Sequence, residues 1–176
     1  MINKIPQKIH IIGSVGSGKT TLAKKLSSRL SIPFYELDNV VWERDSVNGD
    51  RRRAEKEREE YLTDLTNKES WIIEGVHNEE WVGESLRKAE LIIYLDTRYS
   101  VRTFRIIKRF LLQRLKIEKA NYKPTVEIFL KMFKWNRYFE EVGKPNFFTA
   151  FGQYAEKILI VKNGEAAEKR LKGKAL

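Results

Sequence analysis

Cysteine is absent from all 176 residues. That excludes disulfides, thiolate-bound metals and thiol nucleophiles, and it suits a cytoplasmic location. Missing too is any apolar run near the ~18 residues that a membrane-spanning helix needs, so no membrane partner is expected. The first residues lack the charged start, long apolar stretch and small-residue cleavage site of a secretory leader. Internal repeats, low-complexity tracts and long linkers are also wanting. Acid is outnumbered: 34 Lys and Arg stand against 24 Asp and Glu, a formal charge of +10. The imbalance attracts anions, but nucleotides, nucleic acids and anionic membranes all qualify, so charge alone selects no partner.

What is present suits one domain over residues 1–176, with 41% hydrophobic and 33% charged residues. Five short apolar runs read as strands: "KIHIIG" (8–13), "IPFYELD" (32–38), "SWIIEG" (70–75), "ELIIYLD" (90–96) and "KILIVKNG" (157–164). "KTTLAKKLSSRL" (19–30) reads as an amphipathic helix with Leu22, Leu26 and Leu30 on one face. After a turn at "SVNGD", a charged helix is expected over 51–68, and a short one around "NEEWVGESLRK". "KPTVEIFLKMFKWNRYFEEVGKP" gives a further helix, with Pro124 near its start and Gly143 and Pro145 marking its stop. A last helix follows the fifth strand. Strands alternating with helices imply right-handed crossovers and a parallel sheet covered on both faces, a three-layer α/β domain. Ligands of such sheets bind beyond the carboxyl ends of the strands.

One motif sits at that edge. "GSVGSGKT", Gly13 to Thr20, satisfies G-x-x-x-x-G-K-[ST] in full, with an apolar strand leading in and an amphipathic helix leading out. Gly13, Gly16 and Gly18 allow tight turns that aim backbone N–H groups at phosphate oxygens, and the helix adds its positive end. Lys19 should reach the β- and γ-phosphates, and the Thr20 hydroxyl should ligate Mg²⁺. The expected cofactors are therefore ATP and Mg²⁺, held by Gly13, Ser14, Gly16, Ser17, Gly18, Lys19, Thr20 and Thr21. The reaction is not fixed by the loop, since switches, motors and kinases share it.

Three acids close apolar runs. Glu74 in "WIIEGVH" and Asp96 in "IIYLDT" both have the form of a magnesium-side acid. If the third strand lies beside the first, Glu74 is the better candidate and Asp96 a cap for the helix that follows. Asp38 in "YELDNVVW" follows another logic: a hydroxyl acceptor loses a proton during phosphoryl transfer, and a positioned carboxylate can take it. A phosphorylated acceptor needs cations instead, and Arg51, Arg52 and Arg53 lean that way, although Glu55, Glu57, Glu59 and Glu60 nearby suit a solvated helix start. Gly75 and His77, just past Glu74, complete the candidate acceptor site. Hydroxyl and phosphate acceptors both stay open.

"RTFRIIKRFLLQR" (102–114) holds five basic residues among six apolar ones. At ~100° per residue, Arg102, Arg105, Arg109 and Lys116 fall within roughly 60° of one another, while Phe104, Ile107, Phe110, Leu111 and Leu115 cover the other side. The expectation is that the apolar side packs and the guanidinium side is presented in a row. Because the helix follows the fourth strand, its arginines can reach a γ-phosphate. A nucleic-acid-binding helix is the less favoured reading.

Together "GSVGSGKTTLAKKL", "YELDNVVW", "WIIEGVH" and "LIIYLDT…RTFRIIKRF" resemble the bacterial DNA topology modulation (FlaR-type) proteins, among the adenylate-kinase-like and shikimate-kinase-like P-loop kinases. The resemblance implies a P-loop NTPase fold of the nucleoside-monophosphate-kinase type, with a five-stranded parallel sheet in order 2-3-1-4-5. It implies an acceptor-binding insertion at about 39–68 and a lid at about 98–122, with Arg102, Arg105 and Arg109 as lid arginines. Lys162 and Asn163 would sit where related kinases contact adenine. The implied activity is phosphoryl transfer from Mg·ATP to a small molecule, a nucleotide, nucleoside or similar. The rival expectation is a nucleotide-regulated DNA-binding protein. Against adenylate kinase itself, the third strand ends in Glu74-Gly75 rather than an aspartate-glycine pair and the lid is short and has no zinc cysteines, which counts against AMP as the acceptor.

Overall fold

A computed structural model describes residues 5–45, 49–118 and 125–172. Pro124, the first part of "SVNGD" and the end of the expected lid lie outside the described residues. Strands β1 (Lys8–Gly13), β2 (Phe34–Glu36), β5 (Trp71–Gly75), β6 (Leu91–Leu95) and β7 (Ile158–Val161) form one parallel sheet in the order β2-β5-β1-β6-β7. Counted along the chain these are its first to fifth strands, so the order is the expected 2-3-1-4-5. β3 (Trp42–Glu43) and β4 (Arg51–Arg52) make a separate antiparallel pair.

Eight α-helices among the described residues accompany the strands: α1 (Lys19–Leu30), α2 (Leu37–Val41), α3 (Glu55–Thr66), α4 (Gly83–Lys88), α5 (Tyr99–Arg114), α6 (Val126–Tyr138), α7 (Lys144–Phe151) and α8 (Gly164–Lys172). The central strands read as unbroken apolar runs because both their faces are covered. On one face Ile9, Ile11 and Ile93 meet Leu22 and Leu26 of α1 and Ala167 of α8. On the other, Ile12, Ile73 and Tyr94 meet Leu62 of α3, Leu86 of α4 and Phe147 of α7. Register places Gly75 beside Ile12 and Leu95 beside Gly13, so three strand ends open at one edge. No helix among the described residues is long and apolar enough to cross a membrane.

Three expectations fail, each for a local reason. The charged helix starts at Glu55, not at residue 51. The Glu57 carboxylate accepts the Ala54 N–H at 2.8 Å and caps the helix there, while Arg51 pairs with Glu43 across the β3-β4 ladder. The second strand ends at Glu36, and Asp38 stands on α2 instead of closing a strand. Gly143 and Pro145 do not stop the helical path. After α6 one π turn, Phe139–Gly143, leads straight into α7, where Pro145 occupies the first turn and no helical N–H is needed.

The largest departure concerns α5. Much of its apolar side faces outward: Phe104 is 65% exposed, Leu111 53% and Leu115, the C-cap, 67%, while Phe110 stacks on Phe129 of α6. Arg102, at 1%, is among the most deeply buried side chains of the protein, and Ile106 and Gln113 lie on the same inner side.

Candidate active site

β1 runs into the Gly13–Thr20 loop, and α1 leaves it at Lys19. Gly16 and Gly18 hold φ of +74° and +97°, the left-handed region where a side chain is strained. Gly16 has a second constraint, because a Cβ there would stand 2.9 Å from the Arg102 carbonyl oxygen on α5. No side chain caps α1 and no acid occupies its first turn, so its N–H groups and positive end face the loop's hollow. Lys19 arches back, its Nζ donating to the Ser14 carbonyl at 3.1 Å. Thr20 Oγ1 donates to Glu74 Oε1 at 2.5 Å. Thr21 is exposed on the first turn. Ser14 Oγ donates instead to Asn136 of α6 at 3.2 Å, and Ser17 Oγ is buried without a partner among the described residues. Glycine turns, an uncapped helix start, Lys19 and the Thr20–Glu74 pair fit a magnesium-bound triphosphate. No group of three or more His, Asp or Glu among the described residues could hold a metal ion without such a ligand.

Three carboxylates converge beside this cradle. Glu74 is buried, and burial raises its pKa against the opposing pull of Lys19 and Thr20. Glu36 is its register partner on β2. Asp38 lies within reach of Lys19's field, and its side chain is 67% exposed. His77, its Nε2 3.8 Å from Oδ1, holds the Asp38 carboxyl below the usual carboxylate range, against its partial burial. Gly75 contributes space: its missing side chain is the room that buried Leu37 fills, since a Cβ would meet Leu37 at 2.7 Å.

Other expected site residues are engaged elsewhere. Asp96 does not cap α5, whose N-cap is Arg98. It receives Lys144 at 2.6 Å and Lys162 at 2.5 Å; burial pushes its pKa up, but these two bonds bring it below the usual range. Lys162 is thereby tied to Asp96, and Asn163 Oδ1 accepts the Ala166 N–H at the start of α8. Arg51 is held by Glu43 and Glu57 in solvent, and Arg53 donates to the Asn39 and Val40 carbonyls.

The three lid arginines do not stand in a row. Arg102 is inside, paired with Glu140 and flanked by the rings of Tyr99 and Phe139. Arg109 meets Met132 of α6 through Nη2, 3.3 Å from the sulfur. Arg105 alone of the three reaches the phosphate loop, donating to the carbonyls of Gly16 at 3.2 Å and Ser17 at 3.0 Å.

Sequence reasoning missed Glu36, Glu79, Asn136 and Glu140. For Glu36 a signal existed: the spacing of the two acids in "ELD" matches a strand that ends one residue before a helix. For the other three no local pattern marks the contact.

Comparison with known proteins agrees with this architecture. Residues 9–115 match the family model described as an AAA domain. A shikimate kinase of Blochmanniella floridana is 30% identical over 184 aligned residues, covering 90% of this chain and 95% of that protein. The uncharacterized protein YqaC of Bacillus subtilis is 33% identical over 105 residues, 58% of this chain and 56% of its own. Among solved structures, shikimate kinase from Acinetobacter baumannii in complex with shikimate superposes with a TM-score of 0.58 at 18% identity, covering 97% and 93% of the two chains. Shikimate kinase from Aquifex aeolicus gives 0.51 at 22% identity, covering 94% of each chain. Identities this low speak for the fold alone.

Proposed function

From a chain that belongs to the AAA-domain family of P-loop kinases, with shikimate kinase among its relatives, we propose an ATP-dependent small-molecule kinase whose acceptor offers a hydroxyl group. One observation carries the choice of acceptor. Three carboxylates, Glu36, Asp38 and Glu74, gather beside Lys19 and Thr20; of the nearby cations His77 and Arg44 are paired with Asp38, Glu79 and Asp50, and Arg51 and Arg53 of the insertion with Glu43, Glu57 and backbone carbonyls. Carboxylates repel a phosphorylated acceptor and accept hydrogen bonds from a neutral, hydroxyl-bearing one.

Bound Mg·ATP supplies the phosphoryl group and the charge that makes it transferable. The loop N–H groups and Lys19 hold the phosphates, and Thr20, oriented by Glu74, takes the metal side. Asp38 orients the acceptor hydroxyl and receives its proton. Arg105, already at the loop, is the arginine placed to turn toward charge that develops during transfer.

ADP release measured with shikimate, other polyhydroxy compounds, nucleosides and nucleoside monophosphates tests the reading. Stimulation by a hydroxyl acceptor that Asp38→Asn abolishes is the expected result. Stimulation by monophosphates alone would overturn it. Tight duplex-DNA binding that fades steeply with salt and is lost in Arg105→Ala with Arg109→Ala would favour the DNA-binding alternative.

A further inference from the structure

Resting on that reading of Asp38, we propose that His77, kept doubly protonated by Glu79, is the residue that positions the Asp38 carboxylate for the acceptor. Both ring nitrogens of His77 face acids. Nδ1 lies 3.3 Å from Glu79 Oε2, and Nε2 lies 3.8 Å from Asp38 Oδ1. A neutral imidazole has one N–H and one lone pair, so either tautomer would aim a lone pair at a carboxylate. Turning the ring over changes nothing, because acids wait on both sides. Only the imidazolium turns an N–H toward both acids.

The surroundings hold the ring in place. Trp81 lies against it, centroids 5.2 Å apart, and the Arg58 guanidinium covers Trp81 at 4.5 Å. Glu79 is fixed in turn by the Asn78 N–H at 3.1 Å, and the Asn78 side chain is anchored to the Gly143 carbonyl at 2.7 Å. The charged groups that bear on the pair are Glu79 and Asp38 directly, Lys19 and Arg44 acting on Asp38, and Glu74 beyond it. His77 is 23% exposed while Asp38 is 67% exposed. One oxygen of Asp38 therefore meets a covered cation, and the carboxylate stays open to an incoming hydroxyl. Burial pulls the His77 pKa down, but the neighbouring carboxylates of Glu79 and Asp38 outweigh it and set the imidazolium to about 9. The positioning device is present at neutral pH and is lost in alkali.

The chain has two histidines, so the imidazole nitrogens can be followed one by one by ¹H–¹⁵N NMR in the full-length protein. His10 serves as the internal contrast: burial pushes its pKa down to about 3, and it stays neutral beside Ser85. The expected result is a His77 titration near 9, moved toward 6.5 by Glu79→Gln. The alkaline limb of ADP formation from Mg·ATP should move with it. The panel's active acceptor serves for that assay, or water where none is active. His77→Gln should lower kcat tenfold or more with KM for ATP unchanged, and should remove that limb. A wild-type His77 that titrates near 6.5 overturns the geometry. A titration that moves while the limb stays fixed overturns the positioning role. Asp38→Asn with undiminished ADP formation defeats the reading of Asp38 itself, a failure that the NMR titration separates from the pair.

Discussion

Replacing Arg102 and Arg105 separately by methionine should split stability from activity. Arg102 is 1% exposed, bonded to Glu140 and packed between two rings. Breaking a buried ion pair costs about 3–5 kcal/mol when the abandoned charge stays buried. Here Glu140 is 42% exposed and can turn to water, and methionine retains much of the apolar contact, so about 2 kcal/mol is expected. For a protein of this length that lowers Tm by roughly 4–8 °C. Arg105 bonds two loop carbonyls from an exposed position, so Arg105→Met should change stability by about 0.5–1 kcal/mol. If Arg105 meets the developing charge, its loss should slow turnover by about 10³-fold. Thermal melts and ADP release on both variants make the comparison. An Arg102→Met protein that melts like wild type but is as inactive as Arg105→Met would refute the assignment and restore the lid row expected from the helical wheel.

Gly16→Ala combines a left-handed φ of +74° with a Cβ 2.9 Å from the Arg102 carbonyl; strain of about 1–2 kcal/mol plus displacement of α5 should weaken nucleotide binding in a titration and lower Tm. Lys19→Ala should abolish ADP formation with little change in Tm, because the one side-chain bond it makes among the described residues, to the Ser14 carbonyl, sits at a half-buried site. In urea, the folded His77 pKa of about 9 lies above its ordinary 6.5, so its stabilisation is complete below pH 6.5 and is lost as pH rises through 9. The depressed Asp38 and Glu79 act in the opposite direction, their contribution being lost as pH falls below the ordinary carboxylate range, for Glu79 toward about 2. With both acids more than half exposed the cluster is worth about 1 kcal/mol, and the urea midpoint of His77→Gln should converge with wild type at high pH.

The sheet was legible because its signals are local: each central strand is an uninterrupted apolar run, and the glycine loop joins the first strand to a helix. The strand order came from the family resemblance, and pairing bears it out. The residues beside the loop were partly legible. Glu74 lies next to the end of β5 and meets Thr20, but Asp38 is two residues past the end of β2, on α2, instead of closing the strand. The error in α5 is more instructive. A helical wheel separates two faces without saying which one looks inward, and the default is that the apolar face packs. Two things reversed it here: Glu140, 38 residues along the chain from Arg102, and the outward carbonyls of the phosphate loop. Neither leaves any periodic trace in "RTFRIIKRFLLQR". The same holds for Asn136, which bonds Ser14 of the loop and Thr103 of α5 from a helix more than a hundred residues away from the loop.

That bridge shows why the charge of α5 is where it is. A loop that turns its N–H groups toward a phosphate necessarily turns carbonyls the other way, and those carbonyls need donors. Arg105 supplies them at Gly16 and Ser17, Thr97 adds a second donor at Ser17 from the end of β6, and close contact of Gly16 with the α5 backbone keeps the two together. The energetics then choose which arginine can also serve the reaction. Swinging Arg105 away exposes two carbonyls to water at an open position and forfeits about 0.5–1 kcal/mol in all, as in Arg105→Met. Withdrawing Arg102 would break its pair with Glu140 and empty a packed site between two rings, a cost of several kcal/mol. A charge developing on a transferring phosphoryl group can repay the first cost readily and the second poorly. Of the three arginines in the row that the sequence suggests, Arg105 is the one whose present contacts are cheap to exchange.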